Sequence, residues 1–319
     1  MLDSLDEHYG YLADRVKRER YEAAIERVVC PGQVVMDLGC GTGLLGLMAL
    51  RAGADKVLFV EHDAIIEVAR RSALEAGFDD RSQFFNVNSR ELELPERMDV
   101  IVCDHVGYFG FDYDILALLD DAKKRFLKED GIIVPSAIAL MLAPVETKEG
   151  RELVSRWRNS SVPADFAWVG TSAANTKQAV ELASTHLLAQ PAALATLDLD
   201  AAAPEFLNWQ ADFTCTRDGT FDGLLGWFDC VLFDDIRMSN SPLADDRLDR
   251  PQAFLPLEEP ILVQADQRLE AAVKVRPHDQ LIAWTINLPD TGQTLEHSTF
   301  DSLMLDSALR KSLANGPGK

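Results

Sequence analysis

Short apolar runs alternate with amphipathic segments over the first 135 residues, which is the pattern of strands and helices following one another. The predicted strands are residues 34–38, 56–60, 83–87, 99–103 and 131–133. The predicted helices are residues 5–29, 44–52, 64–76 and 115–126. Because strands joined through helices run parallel, residues 1–135 predict a doubly wound α/β domain.

The pattern changes after Pro135, where strand-like segments become dominant. A strand is predicted at residues 138–145, whereas residues 150–197 are expected to be helical or irregular. The remaining predicted strands are residues 206–215, 221–233, 260–275 and 280–288. Consecutive strands with turn signals between them predict a second, mainly antiparallel β domain over residues 136–319. Disorder is expected only in the tail, residues 312–319.

Composition limits the cellular compartment and the class of partner that we expect. The chain of 319 residues is 47% hydrophobic, yet it has no uncharged apolar run long enough for a membrane span and no apolar export segment near Met1. Its five cysteines lack the paired spacing of a metal site, which favours reduced, buried thiols in the cytoplasm. A net charge of −21 opposes nucleic-acid binding and is compatible with a cationic substrate.

A glycine-rich turn after the first predicted strand is the strongest chemical signal. Residues 34–44 are VVMDLGCGTGL, and Glu61 ends the next strand. A dinucleotide site needs a small residue in place of Leu44. Asp37 would repel a phosphate but suits the ammonium and sulfonium of S-adenosylmethionine, and Glu61 suits the ribose hydroxyls. The turn therefore predicts S-adenosylmethionine as the cofactor of a methyltransferase. The predicted cofactor-binding residues of this part are Asp37, Gly39, Cys40, Gly41, Gly43, Leu44 and Glu61.

Five further segments with recognisable sequences are spread over nearly the whole chain. They are HYGYLADRVKRERY at 8–21, DHVGYFGFDYDIL at 104–116, GWFD at 226–229, QAFLPL at 252–257 and VRP at 275–277. Together with the glycine turn, these segments resemble the protein arginine methyltransferase family. The resemblance implies a Rossmann-like methyltransferase domain and, after Pro135, a β-barrel domain. It also implies a helical arm within residues 157–185 that forms a head-to-tail homodimer.

The catalytic loop that the resemblance implies is also where the chain departs from the family. Family members hold the substrate guanidinium with two glutamates in the loop after the fourth strand. An ungapped match puts Asp104 on the first glutamate and Tyr113 on the second, with Asp112 and Asp114 on either side. A one-residue adjustment would bring Asp112 or Asp114 inward; otherwise Tyr113 offers a neutral hydroxyl. His105 is a candidate base or stacking ring, with simple packing as the alternative.

At other positions where the resemblance implies a contact, this chain has a different residue type. The arginine for the cofactor carboxylate is matched by Lys17, which keeps the charge without the two-pronged fork. The acid at the adenine amino group is matched by Arg90, so a backbone contact near Ser89 is expected instead. The Thr-His-Trp triplet is replaced by Leu-Asp-Arg, and Arg250 is expected to pair with Asp14, the alternative being two unrelated surface charges.

These observations lead to one main hypothesis and one alternative. The main hypothesis is an N-methyltransferase that moves a methyl group in line from S-adenosylmethionine to a guanidino or amino nitrogen of a protein or small molecule. The alternative is a pseudoenzyme, a cofactor-binding dimer that regulates or scaffolds a partner; transfer to oxygen or carbon is a minor third. Tyr9 and Tyr11 are expected to cover the cofactor or to pack on a helix face, and Trp227 and Trp284 to lie in the barrel core.

Overall fold

The computed structural model describes residues 3–302, and its first region is a parallel sheet flanked by helices. The helices are α1 (Asp3–Ala13), α2 (Arg15–Val28), α3 (Leu44–Ala52), α4 (Ile66–Glu75) and α5 (Ile115–Phe126). The strands are β1 (Val34–Leu38), β2 (Lys56–Glu61), β3 (Ser82–Asn86), β4 (Met98–Val102) and β5 (Leu127–Val134). The strand order is β3-β2-β1-β4-β5, and each neighbouring pair is parallel. The predicted Rossmann-like fold is confirmed.

The central strands carry almost uninterrupted apolar residues because helices cover both faces of the sheet. Val35, Met36 and Val100 are fully buried, as are Val57 and Ile101. In the strand order, β1 lies between β2 and β4, so the chain reverses its direction of winding at β1. A crevice forms at such a point, at the carboxyl ends of the strands, and this geometry decides where a ligand can bind.

The second region contains two short helices and antiparallel strands. The helices are α6 (Lys148–Ser155) and α7 (Val169–Ala174). The strands are β6 (Ala137–Val145), β7 (Gln178–Val180), β8 (Ala192–Asp198), β9 (Leu207–Thr214), β10 (Gly219–Phe233), β11 (Ile236–Ser239), β12 (Gln252–Val263), β13 (Arg268–Arg276), β14 (Leu281–Leu288) and β15 (Gln293–Ser298). They form two sheets, β7-β12-β10-β6-β8 with β11 beside β10, and β15-β14-β13-β9. The prediction of a mainly antiparallel region is confirmed, and Trp227 and Trp284 lie in its core.

Several predicted boundaries were wrong, each for a local reason. The helix expected at 5–29 breaks at Asp14, whose extended backbone and side chain cap the start of α2. The strand expected at 260–275 is a hairpin of β12 and β13, and Asp266 takes a positive φ of 66° in its turn. Strand β7 and all but the last residue of β8 lie in the stretch expected to be helical or irregular. The tail expected to be disordered lies outside the described residues.

Two further expectations concern cysteines and membrane spans. Cys30 is exposed, so its expected burial is wrong, whereas the other four cysteines are buried. Within residues 3–302, no helix combines the length and apolarity that crossing a membrane requires.

A buried amide of the second region contacts the first. Asn240 lies between β11 and β12 and accepts a hydrogen bond from the backbone N–H of Phe228. Its Nδ2 donates to the carbonyl oxygen of Tyr108, 2.9 Å away, in the loop after β4. The second region therefore helps to fix the loop that carries the predicted catalytic acids.

Candidate active site

A cleft opens at the carboxyl ends of β1, β2 and β4, at the predicted reversal point of the sheet. It consists of two adjoining cavities of about 360 and 350 Å³, a size typical of small-molecule sites. The residues shared by both cavities are Gly39, Glu61, His62, His105 and Tyr113. The first cavity continues to Lys17 and Asp104, and the second to Ser89 and Asp114. Both the predicted cofactor residues and the predicted catalytic residues therefore line this cleft.

The glycine turn forms the floor of this cleft. Gly39 and Gly41 have positive φ angles of 67° and 50°, which residues with a side chain rarely adopt. A Cβ atom on Gly39 would lie 1.9 Å from Cε1 of His105, so the close approach of the histidine ring requires glycine there. Gly43 lies behind the cleft, where a Cβ atom would lie 2.6 Å from that of Ala69. Gly43 thus allows α3 to pack against α4. It does not line the cleft, although it was predicted to bind the cofactor.

Glu61 ends β2 with its carboxylate turned into the cleft and nearly buried. One carboxylate oxygen accepts a hydrogen bond from Gly41 N at 3.1 Å. The other accepts from Asp63 N at 3.0 Å and lies 2.9 Å from Nδ1 of His62. Because each carboxylate oxygen can accept more than one hydrogen bond, both keep capacity for a ribose hydroxyl. The residue therefore fits the role predicted for it.

Asp37 ends β1 and is 1% exposed. Its Oδ2 accepts a hydrogen bond from Gly46 N at 2.7 Å and thereby fixes the first turn of α3. Burial raises the pKa of Asp37 to about 7, and the neighbouring charges of Glu61 and Asp104 act in the same direction, against the Gly46 N–H. An ammonium group beside Asp37 would favour the charged carboxylate, so this acid fits the amino end of the cofactor.

Asp104 lies at the inner end of the cleft and is paired with two cations. Its Oδ2 accepts from Lys17 Nζ at 3.0 Å and from Arg250 Nη2 at 2.7 Å. Oδ1 lies 3.3 Å from the hydroxyl of Tyr21, which donates to it. Burial alone would raise the pKa of Asp104, but Arg250 and Lys17 outweigh it and hold the pKa below its ordinary value. Asp104 is therefore ionised, and two cations at one of its oxygens balance its charge.

The expected pair between Asp14 and Arg250 is wrong. Asp14 uses one oxygen to cap α2 through Lys17 N and the other to accept from Asp249 N at 3.1 Å. Arg250 is 8% exposed and extends to Asp104 and to the carbonyl oxygen of Gly107. The physical reason is that Asp14 is already occupied by backbone donors, whereas Asp104 is a buried acid with a free lone-pair direction.

Asp112 does not line the cleft. Its Oδ2 accepts from the backbone N–H groups of Tyr108 and Phe109, at 2.9 and 2.7 Å. Its Oδ1 forms an ion pair with Lys177, whose ammonium lies 4.3 Å from the centre of the Tyr108 ring. Burial would lower the pKa of Lys177, but the charge of Asp112 outweighs it and raises that pKa. Asp112 therefore braces the loop.

Tyr113 and Asp114 occupy the wall shared with the second cavity. Both have left-handed backbones, with φ angles of 55° and 58°. The Tyr113 ring lines both cavities and is 50% exposed. Asp114 Oδ2 accepts from Arg90 Nη2 at 2.5 Å and lies 3.2 Å from Nδ1 of His278. The three acids of this loop thus face three different groups of cations instead of converging on one point.

His105 lies over the glycine turn, between the two cavities. Its Nδ1 is 3.4 Å from the sulfur of Cys103. Burial lowers the pKa of His105, partly opposed by the charges of Asp104 and Glu61. The ring is therefore neutral near pH 7, and burial opposes its protonation.

The other predicted residues divide between the two cavities. Cys40 and Leu44 line the first, together with Tyr11 of α1. Ser89 and Arg90 line the second, with Arg90 committed to Asp114. Tyr9 is 71% exposed, so of the two tyrosines only Tyr11 is placed on the cleft.

Two family models together match most of the chain. The model of ribosomal protein L11 methyltransferase (PrmA) matches residues 23–170, and that of the PRMT5 oligomerisation domain matches residues 171–301. Protein arginine N-methyltransferase 6 of Xenopus laevis is 28% identical over 288 residues, covering 85% of this chain and 84% of that protein. Arginine N(omega)-methyltransferase of Streptomyces achromogenes subsp. streptozoticus is 29% identical over 272 residues, covering 82% of this chain and 74% of that protein.

These matches identify the chain as a relative of the protein arginine methyltransferases over most of its length. They confirm the enzyme class and the cofactor predicted from the glycine turn, an S-adenosylmethionine-dependent methyltransferase. Solved structures of the family share the fold. The Trypanosoma brucei PRMT1 enzyme-prozyme heterotetrameric complex with AdoHcy superimposes with a TM-score of 0.80 at 19% identity, covering 91% of this chain and 96% of that one. Arabidopsis thaliana protein arginine methyltransferase 10 gives 0.78 at 21% identity, covering 92% and 97%.

Two residues of this arginine-methyltransferase site were missed or misplaced by sequence reasoning. Lys177, the partner of Asp112, carries no local signal because it lies 65 residues further along the chain. Arg250 was singled out, but its target is Asp104, 146 residues away. Only the long-range arrangement of the two regions reveals either contact.

Proposed function

We propose that the protein transfers a methyl group from S-adenosylmethionine to a guanidino or amino nitrogen of a protein or small molecule. The observation that carries the proposal is the continuous cleft over the glycine turn, with Glu61 in its middle and Asp104 at its inner end. Asp104 occupies the position of the first glutamate of the family's catalytic loop. The cleft thus combines a place for the methyl donor with a place for the acceptor.

Four residues of the cleft would hold the cofactor. Lys17 is 4% exposed and presents its ammonium to the first cavity, where it can pair with the cofactor carboxylate. Asp37 would take the amino group, Glu61 the ribose hydroxyls, and the backbone near Ser89 the adenine. When bound, the cofactor supplies an electrophilic methyl group on a sulfonium.

The acceptor nitrogen would approach from the side of His105 and Tyr113. Transfer forms a nitrogen–carbon bond as the sulfur–carbon bond breaks, and the nitrogen loses one proton before or after this step. His105 borders both cavities, so we assign it to contact with the acceptor, and the released proton passes to solvent because burial opposes protonation of the ring. Asp104 fixes the positions of Lys17 and Arg250 at the inner end of the cleft.

The substrate class rests on the relatives and on charge. One relative is named for protein arginine and the other for arginine itself. The proposal therefore includes both a protein residue and a free guanidine or amine as methyl acceptors. The net charge of −21 is compatible with a basic substrate.

One observation favours a second candidate function, that of a cofactor-binding regulator without transfer activity. Asp104 is neutralised by Lys17 and Arg250, and Asp112 and Asp114 pair with other cations. Such a site would retain the cofactor half while lacking a pair of acids aimed at one substrate nitrogen.

Assembly and compartment belong to the same proposal. The segment assigned to the arm, residues 157–185, exposes Phe166 and Trp168, which are 52% and 57% accessible. An apolar surface of this kind suits burial against a second copy, and the match to the PRMT5 oligomerisation domain covers residues 171–301. We therefore propose that the protein forms a homodimer. The scattered, unpaired cysteines support a cytoplasmic location.

The test is a transfer assay with radiolabelled S-adenosylmethionine and a panel of free arginine, methylguanidine, primary amines and arginine-rich peptides. We expect label in at least one acceptor, and we expect Asp104→Asn to reduce turnover at least about 100-fold, as for a misplaced catalytic site. Cofactor affinity, measured by calorimetry, should change far less. Asp80→Asn, an exposed acid in the same region, is the matched control.

Two outcomes would contradict this proposal. Cofactor binding without label in any acceptor would support the regulatory function instead. Full turnover by Asp104→Asn, with Asp80→Asn also active, would remove Asp104 from the mechanism.

A further inference from the structure

The second cavity of the cleft combines an apolar lining with a few polar groups, as a site for a flat base requires. Its volume is about 350 Å³, and it includes Glu61, the residue proposed for the ribose hydroxyls. Ser89, whose backbone is assigned to adenine, lies in the same cavity. The apolar residues that can contact the faces of a ring are Leu38, Val60, Val87 and Leu118.

Asp114 is an acid of this cavity that keeps hydrogen-bonding capacity. Its side chain is 19% exposed and lines the cavity. Oδ2 accepts from Arg90 Nη2 at 2.5 Å and lies 3.2 Å from Nδ1 of His278. Oδ1 is buried and has no hydrogen-bond partner among residues 3–302. Because a carboxylate offers about four acceptor positions, Asp114 can accept a further hydrogen bond from a ligand.

Arg90 and Asp114 together account for an acid that the sequence lacks. The resemblance described above implies an acid at residue 90 for the amino group of adenine, whereas an arginine side chain can only donate. Arg90 binds Asp114, so a carboxylate lies one hydrogen bond from the side chain at residue 90. His278, in the turn between β13 and β14, contacts the same carboxylate oxygen. The cavity thus contains the missing carboxylate, supplied by the loop after β4.

We infer that Asp114 accepts a hydrogen bond from the 6-amino group of adenine and selects the base of the cofactor, with Arg90 as its positioning residue. The inference rests on the proposed placement of the cofactor in the cleft. The amino group of adenine is a donor, whereas its unsubstituted ring nitrogens are acceptors, so a carboxylate favours the amino edge. A site built to bind an N–H group discriminates against an analogue without it, because the acceptor is then left unpaired.

The test measures nucleoside binding and does not depend on methyl transfer. S-adenosylhomocysteine and its 6-deamino analogue, which has hydrogen in place of the amino group, are titrated by calorimetry into the wild type, Asp114→Asn and Asp80→Asn. Asp80 is an exposed acid that lines neither cavity of the cleft, so Asp80→Asn is the matched control. Asparagine tolerates the left-handed backbone of residue 114, where φ is 58°.

We expect the wild type and Asp80→Asn to prefer S-adenosylhomocysteine over the analogue at least about tenfold, because the analogue loses a hydrogen bond to a charged acceptor. In Asp114→Asn this preference should fall at least about fivefold, since a neutral acceptor replaces the carboxylate. Asp114→Gly, which also suits the positive φ, replaces Asp114→Asn if circular dichroism shows that the latter does not fold.

A further variant tests a competing side chain of the same cavity. Gln280 is exposed, lines the cavity and carries an amide oxygen that could accept from the same amino group. Gln280→Gly, compatible with a φ of 52°, should keep the full preference. A loss of preference in Gln280→Gly alone would assign the amino group to Gln280 and overturn the inference.

Two other results would also overturn it. One is an unchanged preference in Asp114→Asn. The other is an equal weakening of both nucleosides in that variant, which would make Asp114 a structural residue of the cavity. A transfer assay without label in any acceptor would contradict the proposed function and leave the preference for the amino group unchanged.

Discussion

The acids predicted to bind the cofactor and the acids of the loop after β4 differ in how they are held. On the cofactor side, Asp37 and Glu61 accept hydrogen bonds from backbone groups that lie 9 and 20 residues away in sequence. On the acceptor side, Asp104 and Asp112 are held by Arg250 and Lys177, at separations of 146 and 65 residues. Backbone partners within the first region define the cofactor side, whereas two side chains of the second region contribute to the acceptor side.

This difference has a chemical consequence. Backbone N–H groups orient a carboxylate without cancelling its charge, so the acids of the cofactor side remain able to bind a ligand. Buried cations cancel the charge of the acids on the acceptor side. An acidic residue in this loop therefore does not by itself make an anionic site.

The largest expected effect tests whether Asp112 is a structural acid. Asp112→Asn breaks a buried ion pair with Lys177, and leaving one charge unpaired costs about 3–5 kcal/mol of unfolding free energy. The measurement is denaturant unfolding followed by circular dichroism. Asp121→Asn is the control, because the pair of Asp121 with Arg125 on α5 is partly exposed and worth about 0–1 kcal/mol.

The double variant Asp112→Asn/Lys177→Met sharpens this test. It removes both charges, so part of the lost stability should return relative to Asp112→Asn. If Asp112→Asn is no less stable than Asp121→Asn, the pair with Lys177 does not brace the loop, and Asp112 becomes available to the acceptor site.

A smaller effect is expected on the cofactor side. Glu61→Gln keeps the shape of the side chain but removes the charge that would accept the ribose hydroxyls. Hydrogen bonds to a charged group contribute about 1.5–3 kcal/mol, so affinity for S-adenosylhomocysteine should fall roughly 10- to 100-fold. Calorimetry provides the measurement, and Glu75→Gln, on the exposed face of α4, serves as the control. Equal affinities for the two variants would remove Glu61 from the cofactor site.

The sequence could predict those parts of the fold and site whose partners are close along the chain. The strand β1, the glycine turn and helix α3 follow directly from apolar runs and glycine spacing, and α5 was predicted with the bounds that the structure shows. The hairpin of β12 and β13 was not, because continuous strand propensity concealed the turn at Asp266. The target of Arg250 also escaped prediction, since the choice between Asp14 and Asp104 depends on how the two regions dock.

The smallest effect is a dependence on pH that only the cofactor side should show. The pKa of Asp37 is raised from 3.8 to about 7 by burial, so the carboxyl is largely protonated in the free protein below pH 7. The ammonium of S-adenosylhomocysteine favours the ionised form, and the affinity should therefore fall as the pH drops from 7 to 5.5, by at most about tenfold per pH unit.

Stability without cofactor should change in the opposite direction. Because the folded protein binds this proton more tightly than the unfolded chain, the contribution of Asp37 to the free energy of unfolding rises as the pH falls from about 7 towards 3.8. Asp37→Asn should flatten both slopes, and the difference between wild type and variant isolates this residue from the histidines of the cleft. If the two proteins show parallel affinities across this range, the ammonium lies elsewhere and the cofactor side loses one of its two anionic anchors. Glu61 would then be the single acid that distinguishes it from the neutralised acceptor side.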